Sequence, residues 1–154
     1  MRARAGYVLG ASAIFLALLG LARLETGRPA GAEAIDADDP AQVGLGERLY
    51  RAECASCHGE DLQGQADWQR RRPDGTWPAP PHDETGHTWH HADALLFDYT
   101  RRGGAAVIGG NFKSDMPGFA DRLTEDEIRA VIAFIKSTWP PLIRQRQQER
   151  NGGG

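Results

Sequence analysis

Apolar residues in this chain gather into four runs, separated by polar stretches rich in Gly and Pro. The first run, Ala5 to Ala22, is 18 uncharged residues flanked by Arg2, Arg4 and Arg23. A signal-peptide core runs about 7–15 apolar residues and a membrane span roughly 17–25, so this length favours an uncleaved anchor over a cleaved signal. Ala30-Gly31-Ala32 and Ala32-Glu33-Ala34 are readable by a signal peptidase, yet both lie well beyond the apolar end. Residues 1–22 are therefore expected to be an anchor or signal. Residues 23–38, which lack apolar periodicity, are expected to be a flexible linker.

The second run predicts a helix from about Pro40 to Ala52 carrying Val43, Leu45, Leu49 and Tyr50. Asp39 can cap its free N–H groups, and Pro40 suits the first helical position. Gly44 and Gly46 both weaken it, and a second helix crossing closely at Gly46 would explain one of them. From Gly59 to Gly86, Pro73, Pro78, Pro80 and Pro81 predict loop. A helix capped by Thr88 and starting near Trp89 to Ala92 would carry Leu95, Leu96, Phe97 and Tyr99. It would stop at Arg101-Arg102-Gly103-Gly104. The fourth run is the plainest: Thr124 and Glu127 have capping-box spacing, and Ile128, Val131, Ile132 and Ile135 recur at helical intervals. Pro140-Pro141 ends it. Residues 39–140 thus read as one all-α domain of three to four helices with long loops, and 141–154 as a polar, frayed tail.

Composition adds little to that outline and charge adds more. Hydrophobic content of 40% and charged content of 25% are ordinary for a globular chain. The net charge is −3, but residues 1–34 hold four arginines against two glutamates, so the remaining 120 residues sum to −5. A nucleic-acid binder would show a clustered basic face instead. With 19 glycines and 9 prolines, long irregular segments need something to hold them, and a buried prosthetic group would do so.

The two cysteines stand in Cys54-Ala55-Ser56-Cys57-His58, at the end of the first predicted helix. Two cysteines are too few for a disulfide framework, and no second ligand pair suggests structural zinc. A histidine directly after the second cysteine favours haem attachment over a thioredoxin-like pair. In that reading both thiols add to the vinyl groups of a single haem and His58 faces its iron. Such haem is attached outside the cytoplasmic membrane, so everything after Ala22 would be exported.

The stretch Gly46 to Gly59 resembles the first helix and haem loop of the class I c-type cytochromes. Asp115-Met116-Pro117-Gly118-Phe119 is similar to that family's distal-ligand loop, and Leu123 to Trp139 to its final helix. The resemblance implies an all-helical fold around one covalent haem c, with first and last helices crossing so that Gly46 and Tyr50 meet Phe134 or Val131. It implies a single-electron carrier with redox-protein partners in a periplasmic or membrane-bound chain, and no small-molecule substrate. It also leaves room for a haem subunit serving a dehydrogenase or oxidase. His58 and Met116 would be the axial ligands. Met116 is the one methionine besides Met1, lies in a loop stiffened by Pro117, and offers a soft thioether that favours Fe(II). A proline carbonyl, from Pro80 or Pro81, would orient His58.

His82, Asp83, His87, His90 and His91 crowd into ten residues. One reading is a copper or zinc site, or a haem sensor, with His87 and His91 sharing a helix face. Another is a bis-histidine haem that leaves Met116 idle. The plainer reading is that these side chains line the haem pocket or cap a helix. Trp68, Trp77 and Trp89 are expected in the cavity wall or loop core.

Overall fold

The computed structural model describes residues 34–152. The predicted anchor or signal, 1–22, and the linker as far as residue 33 lie outside the described residues. Among the described residues, no helix is long and apolar enough to cross a membrane, and no strand occurs.

Helix α1 spans Pro40–Glu53 and begins as its sequence predicts, with the Asp39 carboxylate accepting from the Ala41 N–H at 2.9 Å. Its buried residues are Gln42, Gly46 and Tyr50, four apart along one stripe. That stripe lies against α5, Glu125–Ser137. A Cβ on Gly46 would collide with the Ala130 carbonyl and come within 2.9 Å of the Phe134 Cβ. Glycine here lets two backbones approach as side chains would forbid. Tyr50, fully buried, packs tilted against Phe134 at 5.4 Å between ring centroids, and Val131 joins the same core. Gly44 has no such reason: a Cβ there would meet only the Arg48 guanidinium at 3.9 Å.

The capping box of α5 forms in full: Thr124 accepts from the Glu127 N–H, and the Glu127 carboxylate accepts from the Thr124 N–H at 2.8 Å. From Ile128 to Lys136 every residue but Arg129 is buried. One side joins Tyr50, Leu62 and Trp139; the other joins Phe119 and Leu123. A helix apolar on both sides is sandwiched, here between α1 and a large cavity.

Six α-helices are described rather than three or four. α2 is the single turn Ala55–His58. α3 spans Asp93–Arg102 after a 3₁₀ turn at Thr88–His90, so Thr88 does not cap it. Thr88 is buried instead, its hydroxyl against the Pro81 carbonyl and the His82 ring, and Ala92 holds the cap position without a side-chain bond. Gly103 ends α3 as predicted, but Gly104 opens a further short helix, α4, Gly104–Ile108. Five residues are too few to show a hydrophobic period, which is why the sequence pattern missed it.

The expected frayed tail is α6, Pro141–Asn151. Ile143 packs on the core that holds Tyr50 and Trp139, and the rest of the docking is polar: Gln147, fully buried, donates to the Asp93 carboxylate at 2.7 Å and the His91 carbonyl at 3.2 Å. Asn151 donates to the same carboxylate at 2.9 Å and accepts from the Asp93 N–H. Buried Lys136 completes the cluster at 2.7 Å. Apolar periodicity carries no trace of such docking. The last linker residues are also held, since Gln42 accepts from the Asp36 N–H at 2.7 Å and donates to the Ala34 carbonyl.

The two glycines of α1 give opposite expectations. Gly46→Ala should destabilise the haem-loaded protein by about 1–3 kcal/mol through overpacking. Gly44→Ala should stabilise it by roughly 0.5–1 kcal/mol through helix propensity. Denaturant unfolding of both variants checks the pair; equal effects would contradict the crossing.

Candidate functional site

A cavity of about 1290 Å³ opens between the end of α1, the long loop after α2, α3, α4, the Met116 loop and α5. Val131, Ile132 and Ile135 of α5 give it an apolar wall. Cys54 caps α1 and Cys57 follows on the single turn of α2, so both thiols sit at one edge of the cavity. Burial, and then the Glu53 carboxylate, push the Cys54 thiol up to about 12. The side chain is thus a protonated thiol at neutral pH rather than a reactive thiolate. Tyr50 ties the turn down from below, its hydroxyl donating to the Gly59 carbonyl at 2.9 Å.

His58, buried, places Nδ1 2.9 Å from the Pro80 carbonyl oxygen. A carbonyl only accepts, so Nδ1 carries the proton and Nε2 keeps its lone pair. Burial lowers the His58 pKa against the opposing pull of that hydrogen bond, which keeps the ring neutral. Of the two prolines, Pro80 makes this contact; the Pro81 carbonyl faces Thr88 instead, 3.4 Å from its hydroxyl.

Met116 lines the same cavity and packs with the core of Phe119, Ile128 and Ile132. Its loop rests on the end of α3 through two glycines facing each other. A Cβ on Gly103 would come within 2.7 Å of the Gly118 nitrogen, and one on Gly118 within 2.8 Å of the Arg102 carbonyl carbon. The Phe119 N–H then reaches the Thr100 and Arg101 carbonyls at 3.1 Å. Sequence reading saw Gly103 as a helix stop alone. Gly118, next to a proline in the loop, was the available signal for its partner.

The histidines do not form one cluster. His82 stacks on His58 with ring centroids 4.0 Å apart, its Nδ1 is 2.8 Å from the Thr88 hydroxyl, and its carbonyl accepts from Trp139 Nε1 at 2.7 Å. Lying against the His58 ring, it cannot ligate the opposite face of a group that His58 binds. His87 stacks on Trp68 at 5.5 Å, with His91 edge-on at 5.4 Å, and all three border the cavity. His87 and His91 flank the 3₁₀ turn rather than share a helix face. His90 stacks on Trp89 at 3.7 Å. Among the described residues, no three His, Cys, Asp or Glu side chains converge as a metal site. Trp77 joins Trp68 in the cavity wall, while Trp89 packs in the loop core and donates to the Glu84 carbonyl at 3.3 Å. Cavity-lining residues that sequence reading passed over include Gln65, Val107, Ile108 and Phe112.

Two thiols at the edge of a largely apolar cavity, a neutral imidazole beside them and a thioether on the same cavity fit a covalently attached haem. The arrangement defines a c-type haem protein. The chain matches the family model described as Cytochrome c over residues 43–139, and it belongs to the cytochrome c family. Comparison with curated proteins and with solved structures gave no match. Membership makes this chain a haem-based electron-transfer protein carrying covalent haem c.

Replacing Cys54 and Cys57 together by Ala should leave any bound haem extractable into acidified acetone. The unaltered protein should keep its haem stain on a denaturing gel; a stain persisting in the double variant would contradict attachment at these residues.

Proposed function

We propose that this protein is a membrane-anchored, single-electron carrier whose haem iron is held between His58 and Met116, with its folded domain on the outer side of a bacterial cytoplasmic membrane. The observation that carries this reading is the Pro80 hydrogen bond to His58. It fixes the ring's tautomer and orientation, leaving one lone pair for iron, while Met116 supplies a soft donor on the same cavity.

When bound, the haem supplies a one-electron Fe(III)/Fe(II) couple. The chain's own residues do the rest. Cys54 and Cys57 tether the group, so its edge can stand exposed without being lost. Val131, Ile132, Ile135 and Phe119 keep water from the cavity wall, which disfavours the more charged oxidised state. With His58 and Met116 both holding the group, no coordination site would remain for a substrate, and the role would be transfer rather than catalysis. Donor and acceptor proteins would dock at the cavity mouth through a small, transient interface. The uncharged segment Ala5 to Ala22 supports anchoring by its length.

Met116→Ala should abolish the weak sulfur-to-iron absorption at the red edge of the oxidised spectrum and lower the reduction potential; a redox titration with spectra checks both. An unchanged spectrum would overturn the ligand assignment. For the anchor, the protein should sediment with membranes and retain its first residues on amino-terminal analysis. A mature chain starting between Gly31 and Ile35 would instead establish a cleaved signal.

A further inference from the structure

The loop between α2 and the 3₁₀ turn is long, running over residues 59–87, and its middle part is Asp67 to Trp77. Its residue Arg72 makes an unusual set of bonds for a loop arginine. One terminal nitrogen donates to the Asp115 carboxylate at 2.8 Å and to the Thr76 hydroxyl at 3.4 Å. The other donates to Gln65 Oε1 at 2.7 Å. That same Gln65 oxygen accepts from the Ala79 N–H at 2.9 Å, and the Gln65 N–H donates to the Ala79 carbonyl at 2.8 Å. Ala79 precedes Pro80, which holds His58. Asp115 precedes Met116. An unbroken chain of bonds therefore runs from His58 through Pro80, Ala79, Gln65, Arg72 and Asp115 to Met116.

A second tie runs parallel to it. Lys113 donates to the Asp74 carbonyl at 2.8 Å, and the Asp74 carboxylate braces the turn by accepting from the Thr76 N–H and hydroxyl, both at 2.8 Å. Arg72 also closes the turn through its backbone, donating to the Thr76 carbonyl at 2.9 Å. The segment is thus stitched to the Met116 loop by two cationic side chains 41 residues apart in sequence.

We infer that Arg72 is a positioning residue: with Asp115 it forms a bracket across the cavity that holds the Met116 loop against the His58 side and sets how often Met116 leaves the iron. This rests on Met116 being a ligand, as proposed above. The physical reason is geometric. A thioether is a weak ligand on a loop, so its residence depends on the loop's freedom to swing out. The guanidinium's planar fork engages Gln65 and Asp115 at once, as a lysine could not. Arg72 and Asp115 side chains are 35% and 64% exposed, so salt should weaken the bracket.

The test uses the haem-loaded, full-length oxidised protein and imidazole as the incoming ligand, whose entry requires Met116 to leave. Arg72→Gln and Asp115→Asn should each speed imidazole binding about fivefold at low salt, the size expected of a partly exposed charge pair. The double variant should be no faster than Arg72→Gln alone, because that variant has already lost the Arg72–Asp115 contact. Arg72→Lys should fall between. In the unaltered protein, raising salt should speed binding, and in Asp115→Asn it should do so far less; this comparison needs no further variant. Unchanged imidazole rates in both single variants, with Met116→Ala clearly faster, would overturn the bracket and leave the ligand assignment standing. Binding that is no faster in Met116→Ala would overturn that assignment and this inference with it. Hydrogen exchange over residues 113–118 gives a readout independent of the iron: faster exchange in Arg72→Gln supports the bracket, and unaltered exchange refutes it.

Discussion

The close passage of α1 over α5 at Gly46 governs the rest of this molecule. With no Cβ in the way, the α1 backbone settles against the Ala130 carbonyl, and Tyr50, one turn further on, is driven to full burial against Phe134. Cys54 follows one more turn along, so the attachment turn is delivered beside the apolar wall that α5 presents. Burial of Tyr50 in turn needs a partner for its hydroxyl, and the Gly59 carbonyl, just past His58, supplies it. One backbone contact thereby fixes the height and angle of the Cys-x-x-Cys-His turn.

Beyond the two crossing helices the order comes mostly from hydrogen bonds between loops and distant side chains. His58 is held by Pro80, 22 residues away, and the His82 carbonyl by Trp139, 57 residues away. Asp93 of α3 gathers Lys136 from α5 and both Gln147 and Asn151 from α6, and so fastens the three helices together. These bonds explain how a chain with so much irregular backbone around its cavity keeps a defined shape. They also distribute control of the site: the Pro80 carbonyl that orients His58 and the Arg72 side chain that reaches Asp115 lie outside the segments that carry His58 and Met116.

Much of this was legible where structure is local. Asp39-Pro40, the Thr124–Glu127 box, the Arg-Arg-Gly stop of α3 and the Cys-x-x-Cys-His turn each encode their geometry within a few residues. Thr88 misled because its hydroxyl bonds the Pro81 carbonyl, and Gly104 because α4 is too short for a period. The tail misled because α6 docks through amides rather than an apolar stripe.

Near neighbours along the chain were enough to specify α1, α5, the end of α3, the Cys-x-x-Cys-His turn and the demand for a glycine at the crossing, since periodicity, capping and motif spacing are local properties. Only contacts between distant segments settle that Pro80 rather than Pro81 meets His58, that His82 stacks on His58 while His87 stacks on Trp68, and that Arg72 reaches Asp115. Each of these joins residues far apart along the chain, and a loop's path through space is set by the surfaces it closes against rather than by its own residues.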